Sequence, residues 1–401
     1  MRFKLSFNWR RCAPAGRIWP AAAFAGLLLA APAGAGALAP LPQQPEGVPF
    51  PTASWPQGTP GSGVDEPRLE AALDALFAPS EGQETRAFLV VHRGRLVAER
   101  YAEGFSRESR FPSWSLANGL TSALVATLVR KGEVALDIPA PVEKWRAASD
   151  PRSRITLRHL LTMTSGLSHS EHEESGSLND TTRMLYGAGR ADMYDFAVTQ
   201  PAAHEPGTQW SYATGSSLIV AGIVADAVAG SAPDRRARMQ SYLNTELLDP
   251  LGMRSAVPEY DVHGTFVGGA FLYASARDFA RLGLLFLRDG VWDGRRILPE
   301  GWVDICRTPT AQNPRYGADF WLNSPAQNDE DGPLVPGAPA DLFYLAGNQG
   351  QLILLAPEKD LLVVRLGMLN GHALREALGP VLGEVYAAFP APAGGAESPA
   401  P

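Results

Sequence analysis

A chain of 401 residues, 45% hydrophobic and 19% charged, is long and apolar enough to bury a sizeable core, as one large unit or two interleaved subdomains. A net charge of −7 with no Lys/Arg-rich face argues against nucleic acid as a partner. Lysine occurs only as Lys4, Lys131, Lys144 and Lys359, so nearly all the cations are arginine.

The N-terminus reads as an export signal spanning residues 1–39. Arg2, Lys4, Arg10, Arg11 and Arg17 form a basic region, the apolar run Ile18 to Ala31 follows, and small residues continue to Ala39. The apolar run is shorter than the roughly 20 residues a span needs. The expectation is cleavage near Ala37 or Ala39, no stable membrane span afterwards, and a periplasmic or secreted product. Cleavage would remove Cys12 and leave Cys306, so no internal disulfide is expected. Cys306 lies in the helical-looking run Trp302 to Cys306 and reads as a buried small hydrophobe.

Residues 40–65 are rich in Pro, Gly and Gln and read as an extended leader. Pro67 to Phe77 places Leu69, Ala72, Leu73 and Leu76 on one face of an amphipathic helix. Ala87 to Val91 and Leu96 to Tyr101, joined at Arg93-Gly94, read as a β-hairpin. Next comes Phe111-Pro-Ser113-Trp114-Ser115-Leu-Ala-Asn118-Gly-Leu-Thr-Ser-Ala-Leu-Val125, a turn opening into a helix that ends near Lys131-Gly132. Leu116, Leu120, Leu124 and Leu128, with Val125 and Val129, give it one apolar face. Ser115 in the first turn suits either a helix cap or a rigidly held nucleophile near the positive end of the dipole.

Ile155 to Leu167 reads as a short helix capped by Thr156 and stopped by Gly166. His169 and His172 fall in the polar stretch Ser168 to Thr182, whose spacing matches no metal-ligand set and reads as a mobile loop. Tyr212-Ala-Thr214 precedes an apolar helix from Ser216 to Ala229, and Phe266 to Tyr273 reads as a strand. Ala276 to Arg288 is an amphipathic helix capped by Ser275, with Asp278 three residues on. Gln351 to Leu355 and Leu361 to Leu366 form a second hairpin, followed by a helix from Arg375 to Phe389 and a flexible tail at 391–401. This order implies an α+β fold. An antiparallel sheet drawn from both ends of the chain is covered by the terminal helices, with a mostly helical subdomain at about 112–262 inserted into a domain spanning 66–390.

Ser-Trp-Ser-Leu-Ala-Asn-Gly-Leu-Thr-Ser-Ala-Leu-Val resembles the nucleophile helix of the penicillin-binding serine hydrolases. That superfamily holds class C β-lactamases, DD-peptidases, esterases and 6-aminohexanoate-dimer hydrolases. The blocks at 155–167 and 277–303 are similar to it too, and the former implies a scaffolding role for His159. The family signature is Ser-x-x-Lys, serine and lysine one turn apart on one face. Ser115 matches the serine, and Asn118 stands where the lysine would be.

The resemblance implies Tyr212 as the base and the Gly-x-x-Gly-Gln form Gly347-Asn-Gln-Gly350-Gln351 as the substrate-facing strand edge. It also implies Trp114 beside the substrate and an oxyanion hole from the backbone N–H groups of Ser115 and Asn348. No cofactor is implied. Leu345-Ala346-Gly347 offers no cation to a substrate carboxylate, so uncharged short esters or amides are expected to react faster than penicillins. Asn118 can hydrogen-bond but cannot act as a base. Two functions therefore stand open. One is a hydrolase of small amides, esters or β-lactams acting through acyl-Ser115; the other is a non-catalytic relative binding cell-wall or peptide ligands.

Overall fold

The computed structural model describes residues 38–172, 178–324, 332–370 and 374–390. Most of the export signal and the tail at 391–401 lie outside the described residues. No helix among the described residues is long and apolar enough to cross a membrane.

The elements that position the site are α1 (Glu66–Phe77), β1 (Gln83–His92), β2 (Arg95–Tyr101), α2 (Ala117–Lys131), α3 (Thr214–Ala229), α4 (Ala276–Leu287), β3 (Trp321–Leu322), β4 (Phe343–Gly347), β5 (Gln351–Ala356), β6 (Leu361–Leu369) and α5 (Leu374–Ala388). The sheet order is β2-β1-β6-β5-β4-β3, so the central pair β1/β6 joins the two ends of the chain. Its antiparallel register runs from Gln83 opposite Leu369 to His92 opposite Leu361. The fold is α+β, as the element order implies.

Both faces of the sheet are buried, so its strands are apolar runs rather than strict alternations. Ala87, Leu89 and Val91 of β1, with Leu362, Val364 and Leu366 of β6, pack into one core with α2, α3 and α4. Phe88 and Val90, with Leu361 and Val363, point the other way onto α1 and α5. Each fully buried Leu or Phe stabilises the fold by about 1.5–3 kcal/mol relative to exposure. The leader at 40–65 is extended but lies on the body: Trp55 is buried and its Nε1 donates to the Arg277 carbonyl at 3.2 Å.

Three local expectations are corrected. Helix α2 is buried all round from Ala117 to Leu128 rather than along one face. Its Thr121 hydroxyl donates to the Gly268 carbonyl at 2.8 Å, and the Trp302 indole donates to Ser122 at 3.3 Å, so its polar positions meet partners instead of water. The helix begun at Leu157 ends at Leu161, short of Gly166. Met163 takes a left-handed turn at φ 57° and the chain has left the helix before the glycine. Of Phe266 to Tyr273 only the end is strand, in Leu272–Ala274. Gly268 and Gly269 pack so closely on Thr121 and Thr214 that a Cβ would lie 2.2 and 2.8 Å from their side chains.

Arg365, fully buried at the centre of β6, uses all five of its N–H donors. Nε donates to Thr85 Oγ1 at 3.2 Å, and the terminal nitrogens donate to the carbonyls of Gln349, Gly350, Glu84 and Met368 at 2.9–3.2 Å. Burial, with repulsion from Arg86, pushes the guanidinium down to about 10, still charged at neutral pH. It ties the turn after β4 to the central strands. Replacing it with Leu strands several buried carbonyls at about 1–3 kcal/mol each, so Arg365→Leu should lose at least about 3 kcal/mol of stability in denaturant titration. Arg365→Lys should recover little of it, because a point charge on a flexible stem cannot span five acceptors. A loss below about 1 kcal/mol for the Leu variant would contradict this role.

Candidate active site

The site is built where the turn before α2 meets the end of β4. Phe111–Pro112 pairs with Tyr273–Ala274, and Ser113 fixes the next step. Its N–H donates to the Leu272 carbonyl at 2.7 Å, its hydroxyl donates to the Ala270 carbonyl at 3.0 Å, and the Leu272 N–H donates to that hydroxyl at 3.1 Å. Ser113 is thereby a fully buried staple, which leaves Ser115 as the accessible serine.

Trp114 sits at φ 45°, a left-handed conformation that costs a bulky residue on the order of 1–3 kcal/mol. This kink turns Ser115 into a short 3-10 turn, Trp114–Leu116, that runs directly into α2. Ser115 lies inside that turn, whose N-cap is Ser113, and N–H groups in a first turn have no partner within the helix. Gly347 presses on the same turn: a Cβ there would lie 2.6 Å from the Ser113 carbonyl oxygen and 3.2 Å from the Trp114 Cβ. Only a glycine lets β4 come this close, and it brings Asn348 and Ser115 to line one cavity of about 1060 Å³.

Tyr212 lines that cavity too, delivered by the approach to α3. The Asn118 Nδ2, one turn after Ser115, donates to the Tyr212 phenol oxygen at 2.9 Å. Asn118 is buried, and its Oδ1 has no hydrogen-bond partner among the described residues. The described lysines are all engaged elsewhere. Lys131 donates to Glu246 at 2.8 Å, Lys144 pairs with Asp195, and Lys359 donates to the carbonyls of Tyr386 and Phe389. None of the described lining residues is a lysine or an arginine.

Acids, by contrast, bear on Tyr212. Burial pushes its phenol up most, the charges of Glu171 and Asp319 add to that, and hydrogen bonding with Ser115 and Asn118 offsets only part. Glu171 lines the cavity and accepts from the Thr214 N–H at 3.0 Å, the Thr214 hydroxyl at 2.5 Å and the Thr181 hydroxyl at 2.6 Å. His169 Nε2 stands 3.6 Å away. Burial would raise the Glu171 carboxyl, but His169, Thr181 and Thr214 hold it below the usual carboxylate range. Burial pushes the Asp319 carboxyl well above that range. Its backbone takes φ 61° and its N–H donates to the Leu161 carbonyl at 2.9 Å.

An aromatic wall completes the cavity. Trp321 stacks on Tyr212 with centroids 5.9 Å apart and planes 21° apart, and Trp210 meets Trp321 edge-on at 5.8 Å. Tyr316 closes the group from behind, 5.0 Å from Trp321 and 6.2 Å from Tyr212.

The sequence-predicted residues divide cleanly. Trp114, Ser115, Tyr212, Gly347 and Asn348 line one cavity, and Asn118 lies behind it on Tyr212. Gly350 and Gln351 are not among the lining residues. Gln351 is corrected from a substrate contact to a strap: its Nε2 donates to the Gly367 carbonyl at 2.7 Å and its Oε1 accepts from the Gly367 N–H at 3.1 Å. Gly350 turns at φ 77° with its carbonyl on Arg365.

His159 belongs to a capping box with Thr156, as a scaffold residue would. The described part of the loop at 168–182 is bonded rather than loose, through Ser170 to Asp180 at 3.0 Å and His169 to Thr181 at 2.8 Å; residues 173–177 lie outside the described residues. Among the described residues no group of His, Cys, Asp or Glu could hold a metal ion. Cys306 is buried and its thiol is pushed up by burial, so it is chemically quiet. Sequence reasoning missed Glu171, Asp319, Tyr316 and Trp321. Glu171 stood in a stretch flagged only for its histidines, and the other three carry no local motif.

The profile of the β-lactamase family matches residues 73–377. Among curated proteins, the esterase EstB of Burkholderia gladioli is 30% identical over 49% of this chain, and the match spans about half of the esterase, 54% of its length. The 6-aminohexanoate-dimer hydrolase of Paenarthrobacter ureafaciens is 26% identical over 74% of this chain and 76% of its own. Among solved structures, a Bacillus anthracis protein assigned as a 6-aminohexanoate-dimer hydrolase superposes with a TM-score of 0.63 at 22% identity, covering 84% of this chain and 88% of the other. The fold, the serine turn and the family profile agree, and this chain belongs to the β-lactamase family.

Proposed function

We propose that the chain is a serine hydrolase of small esters or amides, working through an acyl-enzyme on Ser115 with activation slowed by Asn118. The observation that carries it is the 2.9 Å bond from Asn118 to Tyr212 beside Ser115, in a cavity also lined by Asn348. The names of the EstB and 6-aminohexanoate-dimer hydrolase relatives support an ester or amide substrate.

In this reading the Ser115 oxygen attacks the substrate carbonyl carbon and its proton passes to the Tyr212 phenolate. The N–H groups of Ser115 and Asn348 take the developing oxyanion. Collapse of the tetrahedral intermediate breaks the ester or amide bond, and the leaving group carries away the proton held by Tyr212. Water then attacks the acyl-serine by the same route in reverse, releasing the acid and the free hydroxyl. Asn118 contributes the donor that a lysine would offer Tyr212, without its charge.

Magnitudes show what is missing. A unit positive charge about 4 Å from a phenolate is worth about 4 kcal/mol at an effective dielectric of about 20. That corresponds to about three pKa units. Asn118→Lys should therefore raise kcat/KM for a neutral p-nitrophenyl ester at neutral pH by at least about 10², and Asn118→Lys with Ser115→Ala should abolish the gain. Helix propensity does not oppose the change. A folded Asn118→Lys protein no faster than the parent would favour the ligand-binding reading, for which the acid-facing Tyr212 is the supporting observation.

The pH profile gives a second test. Because the folded phenol titrates above its ordinary value of 10.0, only a small phenolate fraction exists at pH 7, and it grows about tenfold per pH unit. The Ser115-dependent rate should climb steadily from pH 7 to 10, measured against Ser115→Ala to remove the hydroxide background. Asn118→Lys should move the rise to lower pH. A plateau in the parent at or below pH 8 would contradict Tyr212 as the proton acceptor.

A further inference from the structure

The cavity has an electrostatic character that neither the missing lysine nor the family match specifies. Among its described lining residues it holds an ionised carboxylate, Glu171, with His169 at 3.6 Å and His172 as the other lining histidine, and no lysine or arginine. Its wall presents the rings of Trp210, Tyr212 and Trp321, which meet stacked or edge-on within 6 Å. Aromatic faces carry negative quadrupole density, and a cation within about 6 Å of a ring centroid is attracted to it most strongly when desolvated.

The same surroundings repel a substrate carboxylate. Such a group would meet Glu171 without a guanidinium or ammonium to receive it, and a desolvated, unpaired charge is costly. A neutral apolar group could stack on the rings, but nothing in it would use the field of Glu171. That carboxylate is fixed in place by Thr181 and the backbone and hydroxyl of Thr214, so its position does not depend on a ligand.

We propose that this cavity selects substrates bearing an ammonium or quaternary ammonium group, seated against the Trp210–Tyr212–Trp321 wall in the field of Glu171. The inference rests on the hydrolase reading for the word substrate, but the recognition it describes is a binding property and is tested separately. The chemical class is a small ester or amide with a cationic head, in contrast to the carboxylate-bearing substrates that a Lys/Arg-lined site would hold.

The test uses a cation, its neutral carbon isostere and an anion of similar size. Binding of choline, 3,3-dimethylbutanol and 3,3-dimethylbutyrate to the Ser115→Ala protein is followed by calorimetry, with indole fluorescence from the wall as a second signal. Choline should bind at least about tenfold more tightly than the neutral alcohol, and the carboxylate should bind weakest. Trp321→Leu and Glu171→Gln should each cut the choline preference severalfold, with circular dichroism confirming that each is folded. In the wild-type chain, butyrylcholine should be cleaved with a higher kcat/KM than 3,3-dimethylbutyl butyrate.

Equal affinity for choline and the neutral alcohol, no binding of either, tighter binding of the carboxylate, or a preference untouched in both folded variants would each overturn the proposal. If neither variant folds, the comparison of the isosteres on the Ser115→Ala protein decides alone. Choline selectivity without cleavage of any ester would uphold the cation site and overturn the hydrolase reading. Ester cleavage with no charge preference would do the opposite.

Discussion

The bond from the Asn118 amide to the Tyr212 phenol is the contact on which the proposed chemistry turns. It occupies the place, one helical turn after Ser115, where the family's signature puts an ammonium. An amide there keeps a donor on the phenol oxygen and removes the positive charge that would balance the acids around it. Burial and the charge of Glu171 then raise the phenol, hydrogen bonding with Ser115 and Asn118 offsets only part, and the phenol is held protonated. Around that contact lies a polar, aromatic chamber with a fixed carboxylate, Glu171, and no lysine or arginine among its described lining residues.

The frame that presents this contact is intact and costly to build. Trp114 adopts a left-handed backbone that nothing in helix formation requires. Gly347 allows β4 to approach the serine turn, and Gly119 does the same on the other side, where a Cβ would lie 2.4 Å from Leu345. Arg365 holds the turn after β4 through the carbonyls of Gln349 and Gly350, and Gln351 clips that turn to Gly367. Strained and close-packed geometry of this kind survives only where the surroundings over-determine it, and it converges on Ser115 and Asn348. In the proposed reading, Asn118 is therefore a difference in charge on an otherwise assembled site.

How much of this was legible in the sequence depends on the range of the interaction. The two hairpins and the helices α1 and α4 were readable from apolar patterning, because the strands are apolar runs and the two helices carry clear stripes, whereas burial of both faces of β1 and β6 shows only in the fold. The serine turn, Tyr212 and the Gly347-Asn348 edge were readable from short motifs. Complete burial of α2 was not, since Thr121 and Ser122 look solvent-facing until Gly268 and Trp302 are found opposite them. Phe266 to Tyr273 read as a strand because it is rich in glycine and aromatics, while the close approach that Gly268 and Gly269 permit is a tertiary fact. Glu171 and Asp319 belong to Tyr212 only through folding, and no spacing encodes a coulombic neighbour. Gln351 was placed on the substrate by motif, although its amide is spent within the sheet.

The central claim is that Ser115 remains a nucleophile waiting on a proton acceptor. The most direct measurement is intact-mass and peptide-level mass spectrometry of the full chain incubated with an alkyl fluorophosphonate between pH 7 and 10. The account predicts a single adduct on Ser115, forming slowly at pH 7, faster at each higher pH, and absent in Ser115→Ala. A folded protein that takes no adduct at any of these pH values, or takes it on another residue, would contradict it.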